Sequence, residues 1–173
     1  MEIVKGPNNS REEILVQMVA QYEMPLLRTC YMVLHDRGLA EDAAQETFLK
    51  AYKALPTFRG ECSEKTWLMR IAMNTCRDMR RGAWFRWVDR SVEVDRLPEP
   101  AKEAEFMEAD ALTQAILRLP QKSKEVILLY YYQDMTLREI ASVLDIAVST
   151  AGKRVNSACR RLQKMMEKGD CYE

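Results

Sequence analysis

Residues 136–162, TLREIASVLDIAVSTAGKRVNSACRRL, are the stretch that decides the fold class. A helical pattern of two turns, TLREIASVL, is followed by a short turn, DIAV, and then by a longer basic helix. Thr136 and Glu139 have the spacing of a capping box, which satisfies two orphan amides at a helix start. Ala141 offers a small side chain where two helices cross, and Ile146 can fill the core from the turn. This layout predicts a helix-turn-helix.

The second helix of this motif, predicted to be capped by Ser149, has a basic outer face. A helix fits the major groove of DNA, where its N-terminal residues reach base edges and basic residues meet phosphates. Gly152 lies inside it and costs about 1 kcal/mol relative to Ala. An ordinary helical hairpin with a solvated basic face is the alternative. The residues expected to contact DNA are Thr150, Lys153, Arg154, Asn156, Ser157, Arg160 and Arg161.

The rest of the chain also has apolar residues at helical spacing. No stretch alternates apolar and polar residues for long enough to indicate a sheet, so the predicted fold class is all-α. Ser63 and Ser123 are placed to cap two of the helices. The predicted helical segments are 14–34, 39–55, 64–81, 104–119 and 123–132.

Length and hydropathy limit the architecture. The 173 residues, 47% hydrophobic and 30% charged, are typical of one globular domain or two small ones. No run of about 18 apolar residues indicates a membrane span. Residues 1–11 lack the basic and apolar segments of a secretory signal, so we expect a cytoplasmic protein without membrane insertion.

The cysteines and the single histidine do not indicate a metal site or a cofactor. The five cysteines are scattered without a CxxC pair, and His35 lies five residues after Cys30. A zinc site needs about four ligands with close pairs among them, so reduced structural thiols are the expectation. No glycine-rich phosphate loop, HExxH or G-x-S-x-G is present, so we expect no enzyme activity. A hydrolase using paired carboxylates is the enzymatic alternative.

Charge is segregated along the chain, although the formal net charge is +0. Residues 58–90 carry eight basic and four acidic side chains, and residues 150–168 carry six and one. Between them, residues 91–110 carry seven acidic and two basic side chains. Two basic stretches flanking an acidic one indicate two separate contacts with a polyanion, and the alternative is a set of solvated faces.

The segment 83–103 is predicted to be a flexible acidic linker. It contains Pro98 and Pro100 and has no sustained apolar period. Trp84, Phe85 and Trp87 are unusual there. They either pack on the end of the preceding helix or cover the surface of a partner.

Three blocks resemble, in order, segments of extracytoplasmic-function sigma factors of the sigma-70 family. They are AEDAAQETFLKAYKAL at 40–55, FRGECSEKTWLMRIAMNTCRDMRR at 58–81, and LPQKSKEVILLYYYQDMTLREIASVLDIAVSTAGKRV at 119–155. The resemblance implies a sigma-2 helical bundle at 10–82, the linker at 83–103 and a sigma-4 helix-turn-helix domain at 104–168. It also implies a transcription initiation factor that directs RNA polymerase core to promoters.

The resemblance further implies how each block contacts its partner. The helix of the first block docks on the RNA polymerase core, which contributes its beta and beta-prime subunits, and the second block melts and recognises the −10 element. Trp67 in the second block is interpreted as a core residue rather than a stacking platform. The implied core-docking residues are Asp42, Gln45, Glu46 and Phe48. The implied −10 residues are Arg59, Lys65, Arg70, Asn74, Arg77, Arg80 and Arg81.

The helix-turn-helix, by the same resemblance, recognises the −35 element as duplex DNA. Gly152, Asn156 and Cys159 depart from the usual pattern of the family, where bulkier or basic residues are common, so the −35 sequence stays open. Members are commonly held inactive by an anti-sigma factor, often membrane-bound. The resemblance therefore implies such a partner, and a cytoplasmic protein that its partner can hold at the membrane.

One further alternative uses only the helix-turn-helix. A stand-alone regulator would combine this motif with an N-terminal sensor or dimerisation domain. Such a domain has no need for the block at 58–81. Binding to purified polymerase core distinguishes the two hypotheses.

Overall fold

Seven α-helices and no strand make up residues 10–89 and 110–169, the part of the chain that this computed structural model describes. The predicted all-α class is confirmed. The helices are α1 (Arg11–Leu34), α2 (Arg37–Ala54), α3 (Glu64–Asp89), α4 (Ala111–Leu117), α5 (Gln121–Ile127), α6 (Leu137–Leu144) and α7 (Val148–Gly169). A 3-10 turn (Leu55–Thr57) follows α2, and a π-helical turn (Leu128–Tyr132) follows α5.

Helices α1, α2 and α3 form an N-terminal bundle. Four methionines fill much of its interior and are at most 1% exposed. Thioether side chains are unbranched and adapt to irregular gaps between helices. They are Met18, Met32, Met69 and Met73.

Helix starts in this bundle follow side-chain caps. Ser10 forms a capping box with Glu13 at the start of α1, and Ser63 Oγ accepts from the amide of Thr66, as predicted for the start of α3. Asp36 caps α2 by accepting from the amide of Leu39 at 2.8 Å. Because α2 begins at Arg37, Glu41 and Asp42 lie beyond its first turn, where the macrodipole effect has largely fallen off.

Pro25 does not end α1. The helix continues through it to Leu34, and the Thr29 hydroxyl donates to the Pro25 carbonyl at 2.9 Å. Pro removes one backbone donor from a helix but leaves its own carbonyl able to accept. One long helix therefore contains the whole of the predicted segment 14–34.

Helices α4 to α7 form a C-terminal bundle. Pro120 precedes α5, which begins at Gln121, so Ser123 lies inside the helix and the expected Ser123 cap is wrong. Pro120 is itself the N-cap, with an extended ψ of 147°, so the helix starts directly after it and ahead of the serine. The following π-helical turn leaves the side chains of Tyr130, Tyr131 and Tyr132 exposed.

The helix-turn-helix is confirmed as α6, a short turn and α7. Thr136 Oγ1 accepts from the amide of Glu139 at 3.3 Å, and the amide of Thr136 donates to Glu139 Oε2 at 2.8 Å. That amide holds the pKa of Glu139 below its usual range. Helix α7 begins at Val148, so Ser149 lies in its first turn rather than at the cap.

Asp145 ends α6 in the left-handed conformation, with φ 53° and ψ 52°. A Cβ atom is strained there, and glycine is not. We expect Asp145→Gly to raise the free energy of unfolding by about 0.5–1 kcal/mol, measured by urea denaturation. Asp145→Ala, which keeps the Cβ, is the control. A glycine variant no more stable than the alanine variant would contradict the backbone argument.

Helix α3 extends to Asp89, so residues 83–89 of the predicted linker are helical. Residues 90–103 of that linker, residues 104–109 of the predicted helix, and the side chains of Trp84, Phe85 and Trp87 lie outside the described residues. No helix in the described part of the chain is both long and apolar enough to cross a membrane.

Candidate nucleic-acid interfaces

Helix α7 separates an apolar inner face from a polar outer face. Its inner residues pack on α6 and the rest of the bundle core. Lys153, Asn156, Ser157, Arg160 and Arg161 are exposed, and Thr150 and Arg154 are partly exposed. All seven predicted DNA-contacting residues therefore have solvent-accessible side chains. The buried inner residues are Ala151, Val155, Ala158 and Leu162.

Gly152 is not required by packing within the protein. A Cβ atom built there would lie 3.5 Å from Leu137 Cδ1, which is an ordinary van der Waals contact. Alanine would therefore fit and would favour the helix by about 1 kcal/mol. Nothing in the described residues explains why glycine stands at this position.

A cleft of about 510 Å³ opens beside the start of α3. The rings of Phe58 and Trp67 stack in its wall, with centroids 4.6 Å apart and an interplanar angle of 26°. Trp67 is partly exposed, so its ring packs on Phe58 and also lines the cleft. Aromatic faces and nearby guanidinium groups are the surface that single-stranded nucleic acid needs. The other lining residues include Arg59, Glu61, Cys62, Arg70 and Ser142.

The predicted −10 residues fall into two groups. Arg59, Asn74, Arg80 and Arg81 are exposed. Lys65, Arg70 and Arg77 are half-buried, because each contacts the C-terminal bundle. The C-terminal bundle therefore covers part of the Lys65, Arg70 and Arg77 side chains, whereas the other four residues are accessible to solvent.

Those three cations have defined partners. Lys65 Nζ donates to the Gln133 carbonyl. Arg70 donates from Nε to the Ser142 carbonyl at 3.1 Å and from Nη2 to the Ser142 hydroxyl. Arg77 Nη2 lies 3.0 Å from Glu125 Oε2 in a salt bridge. Gln133 Nε2 also donates to Thr29 Oγ1 at 2.8 Å and lies 3.4 Å from the Pro25 carbonyl. We call these bonds, together with the three cation contacts, the inter-bundle lock.

The outer face of α2 carries Asp42, Gln45, Glu46 and Leu49. Asp42 and Gln45 are exposed, and Glu46 lies 3.9 Å from Lys50 in an exposed ion pair. Leu49 is 53% exposed, although the sequence did not single it out. Spacings of three, four and seven residues put these side chains on one face, and that periodicity is the signal that could have found Leu49.

The side chain of Phe48, a predicted docking residue, is buried. It is 9% exposed and belongs to the hydrophobic core, with Ala44 and Ala51. These residues lie four positions before and three after Phe48, so they form the buried stripe of α2. The ring of Phe48 is therefore not available on the outer face of the helix.

Lys124 and His35 contact each other between the bundles. Lys124 Nζ lies within hydrogen-bond distance of His35 Nε2, and Lys124 is 4% exposed. Burial, with a smaller contribution from Arg80, lowers the pKa of Lys124 to about 8. Burial, Lys124 and Arg80 also lower the pKa of His35. A neutral His35 can accept from Lys124, whereas a protonated one would repel it.

An apolar groove of about 460 Å³ lies on the C-terminal bundle. Tyr131, which is 60% exposed, contacts Cys159 there with its hydroxyl 3.6 Å from Sγ. A groove of this kind suits an apolar partner helix. Other lining residues are Leu112, Ile116, Ile127 and Leu162.

Four cysteines are free thiols: Cys30, Cys62, Cys76 and Cys159. A hydrogen bond with Cys76, together with burial, raises the pKa of Cys30. Cys171 lies outside the described residues. Within the described ranges, no three His, Cys, Asp or Glu side chains cluster as metal ligands would.

Family comparisons match both bundles. The model for sigma-70 region 2 matches residues 18–86, and the model for sigma-70 region 4 matches residues 109–162. The chain belongs to the sigma-70 family of RNA polymerase sigma factors. As such it directs RNA polymerase to promoters, and the expectation from the three sequence blocks is confirmed.

Curated relatives place this sigma factor in the extracytoplasmic-function class. It is 30% identical to the RNA polymerase sigma-H factor of Pseudomonas aeruginosa, over 87% of this chain and 84% of that protein. It is 29% identical to the extracytoplasmic-function sigma factor SigW of Bacillus subtilis, over 94% of both chains.

Two solved structures have the same fold. The sigma factor RpoE of Bartonella quintana, in complex with the anti-sigma factor NepR, matches with a TM-score of 0.75 and 22% identity. That match covers 90% of this sigma factor and 98% of the solved chain. CnrH, in complex with the cytosolic domain of CnrY, matches with a TM-score of 0.69 and 24% identity, over 91% and 90% of the two chains.

Proposed function

We propose that this sigma factor divides promoter recognition between its two bundles, with the boundary between them in the sequence at residues 83–103. The N-terminal bundle captures the melted −10 element, and the C-terminal bundle binds the −35 element as duplex. The observation that carries the proposal is the occurrence, in one chain, of an aromatic cleft edged by arginines and a basic helix-turn-helix.

The −10 assignment is supported by the chemistry of the cleft. The stacked rings of Phe58 and Trp67 offer a face to an unstacked base, and the polar wall offers hydrogen bonds to its edge. The cations predicted in α3 and in the loop before it would hold the phosphates of the strand. They are Arg59, Lys65, Arg70, Arg77, Arg80 and Arg81, with Asn74 as a polar contact.

The −35 assignment is supported by the outer face of α7. A cation near the start of the helix, such as Arg154, is placed to reach a base edge. Arg160 and Arg161, one to two turns later, are placed to meet phosphates. Thr150, Lys153, Asn156 and Ser157 complete the proposed contact surface.

We expect Arg154→Ala to weaken −35-dependent transcription by about 5- to 150-fold, which corresponds to the loss of about 1–3 kcal/mol when a base contact is removed. Run-off transcription on promoters with and without a matched −35 element measures it. Arg118→Ala removes an exposed arginine from the end of α4 and is the matched control. Equal promoter use by wild type and Arg154→Ala would rule out this contact.

The outer face of α2 is proposed to dock on the polymerase core, through its beta and beta-prime subunits. Two exposed acids beside an apolar Leu49 suit a basic surface with an apolar patch. Asp42, Gln45, Glu46 and Leu49 form this proposed docking face. Phe48 would support it from the core without touching the polymerase.

Neutralising Asp42→Asn and Glu46→Gln together should weaken core binding by roughly tenfold, because charges at an interface mainly set the association rate. Binding to surface-immobilised core, followed over time at several salt concentrations, measures the association rate and its salt dependence. Glu23→Gln, an exposed acid on α1, is the control. A double variant that assembles at the wild-type rate would remove α2 as the docking face.

An anti-sigma factor is proposed to control this sigma factor. The two solved structures named above are complexes with a protein partner, and the apolar groove at Tyr131 is a surface that such a partner would cover. The proposed setting is the cytoplasm, where the partner can hold the protein at the membrane.

We propose no enzymatic step, no metal and no cofactor for this chain. The chemistry of RNA synthesis belongs to the polymerase. Run-off transcription with purified core on a promoter library tests the whole assignment. The expected result is RNA that starts at sites core alone does not use, downstream of a sequence that those promoters share. A chain that neither joins core nor changes the start sites would refute the assignment.

A further inference from the structure

The single histidine of this sigma factor lies where the two bundles meet. His35 ends α1 in the left-handed conformation, with φ 55° and ψ 26°, and its amide donates to the Tyr31 carbonyl at 2.8 Å. Its ring contacts Lys124 of α5, with Nε2 within hydrogen-bond distance of Lys124 Nζ. The two residues are 89 positions apart in the chain, so the contact exists only while the bundles are packed together.

Lys124 depends on this contact. It is 4% exposed, and a buried ammonium group is unfavourable unless it is paired or hydrogen-bonded. Within the described ranges, His35 Nε2 is the acceptor for its Nζ, and no carboxylate lies within 4 Å of that atom. Glu125, the next residue, is engaged with Arg77 at 3.0 Å. The neutral imidazole of His35 therefore supplies the lone pair that Lys124 needs.

Protonation of His35 removes that lone pair. Part of the residue is open to solvent, so a proton can reach the ring without unfolding the chain. A protonated imidazole has two donors and no acceptor. Lys124 then loses its acceptor and meets a second positive charge. A buried donor without a partner is more unfavourable than the loss of an ordinary hydrogen bond, so the effect falls on the packed arrangement.

The other groups around the pair do not offset this charge. Arg80, on α3, adds a third positive charge that acts on both His35 and Lys124. Asp36, the nearest acid in the chain, accepts a hydrogen bond as the N-cap of α2. A backbone hydrogen bond with Met32 favours the protonated ring, but it is the smallest of the influences on His35.

The sign of the pH dependence follows from these surroundings. Partial burial, followed by the charges of Lys124 and Arg80, holds the pKa of His35 below its usual value of 6.5 while the bundles are packed. When they separate, that pKa returns to its ordinary range. As the pH falls below 6.5, the separated arrangement takes up a proton that the packed one resists. Packing therefore weakens in acid, by at most about tenfold per pH unit for one proton.

Lys124 responds in the same direction at higher pH. Burial, with a smaller contribution from Arg80, lowers its pKa from 10.5 to about 8. Between these two values the separated arrangement keeps a proton that the packed one has released, so packing strengthens as the pH rises. The acid window belongs to His35, because histidine is the side chain that ordinarily titrates between pH 5 and 8.

We infer that His35 and Lys124 form a proton-sensitive contact, which helps to hold the bundles together at neutral pH and releases them when His35 is protonated. Mild acid would therefore shift the free chain toward separated bundles without any partner. The inference concerns the free chain and does not rest on the proposed DNA or polymerase contacts.

A proton NMR titration of the full-length chain tests the protonation of His35. Because the chain has one histidine, a single imidazole Cε1–H resonance reports it. The wild-type midpoint should lie below the ordinary value of about 6.5. Lys124→Met removes the facing charge and keeps a long apolar side chain, so it should raise that midpoint by about 0.5 or more. A wild-type midpoint at or above 6.5, or one that Lys124→Met leaves unchanged, would overturn the inference.

Small-angle scattering tests whether protonation separates the bundles. A compact chain of this length has a radius of gyration of about 16 Å. Gln133→Ala removes the bond to Thr29 and brings the packed and separated populations closer, which makes a change in packing visible. Between pH 7.5 and pH 5.5 this variant should expand by about 2 Å or more, as packing weakens by up to about tenfold. Carboxyl groups ordinarily stay ionised at pH 5.5.

The matched control is Gln133→Ala combined with His35→Gln. Glutamine offers Lys124 a side-chain acceptor and does not titrate, so the radius of this double variant should be the same at both pH values. Equal expansion of the two variants, or expansion of neither, would refute the proposed contact. Circular dichroism at both pH values checks the helices. Expansion accompanied by a loss of helix would also refute it, because the contact is inferred to separate folded bundles.

Discussion

Replacing Ile140 with Ala is expected to lower the free energy of unfolding of the C-terminal bundle by about 2–5 kcal/mol. Ile140 lies in α6 and is 0% exposed. The lost side chain removes apolar contacts and leaves a cavity that α3 and α7, the helices packed on α6, can only partly close. A bundle of about 60 residues has a total stability of only about 3–9 kcal/mol, so much of the bundle should be unfolded at 37 °C.

The functional consequence should be confined to one end of the chain. Binding to −35 duplex should be lost, while α1–α3 still dock on polymerase core. Urea denaturation followed by circular dichroism measures the stability, and core binding measures the remaining function. Ile140→Val, which removes one methyl group, should cost no more than about 1.5 kcal/mol. An alanine variant with the wild-type midpoint would show that α6 is not part of a packed core.

Replacing Trp67 with Ala should lower capture of melted −10 DNA by about 5- to 150-fold, since base–aromatic stacking contributes about 1–3 kcal/mol per base. The indole ring both stacks on Phe58 and lines the cleft. Its removal therefore takes away an aromatic face for the base and leaves the Phe58 ring without its stacking partner. Permanganate reactivity of promoter thymines with assembled holoenzyme measures the opened strand.

Two controls separate stacking from folding. Trp67→Phe keeps an aromatic face and should retain most of the activity, while binding of both variants to polymerase core should match that of the wild type. If the alanine variant opens promoters to the same extent as the phenylalanine variant, Trp67 has only a structural role.

The helix-turn-helix could be predicted from sequence because its determinants are local. Thr136 and Glu139 lie three residues apart, and the capping box needs only that spacing. Helix starts were less predictable where proline intervened: Ser123 looks like a cap in isolation, but Pro120 starts the helix earlier. The burial of Phe48 and the exposure of Leu49 have the same origin, since the buried stripe of α2 is set by where α1 and α3 lie.

The inter-bundle lock could not have been predicted from the sequence. Its partners are 48 to 108 residues apart, as in Arg77–Glu125 and Gln133–Pro25. A lysine and a glutamate at 124 and 125 are expected to be solvated on composition alone. Their burial follows only from the approach of a second bundle, which no local pattern encodes.

The methionine-rich interior of the N-terminal bundle has a consequence for mutation and for oxidative damage. Exchanges of methionine for leucine conserve volume, so single ones should be mild, at less than about 1.5 kcal/mol. Conversion of the same sulfur atoms to sulfoxides would place polar groups where no water can reach them. Peroxide that reached this interior would therefore loosen the three-helix bundle, whereas oxidation of Met166, which is 38% exposed on α7, would place its polar oxygen in solvent.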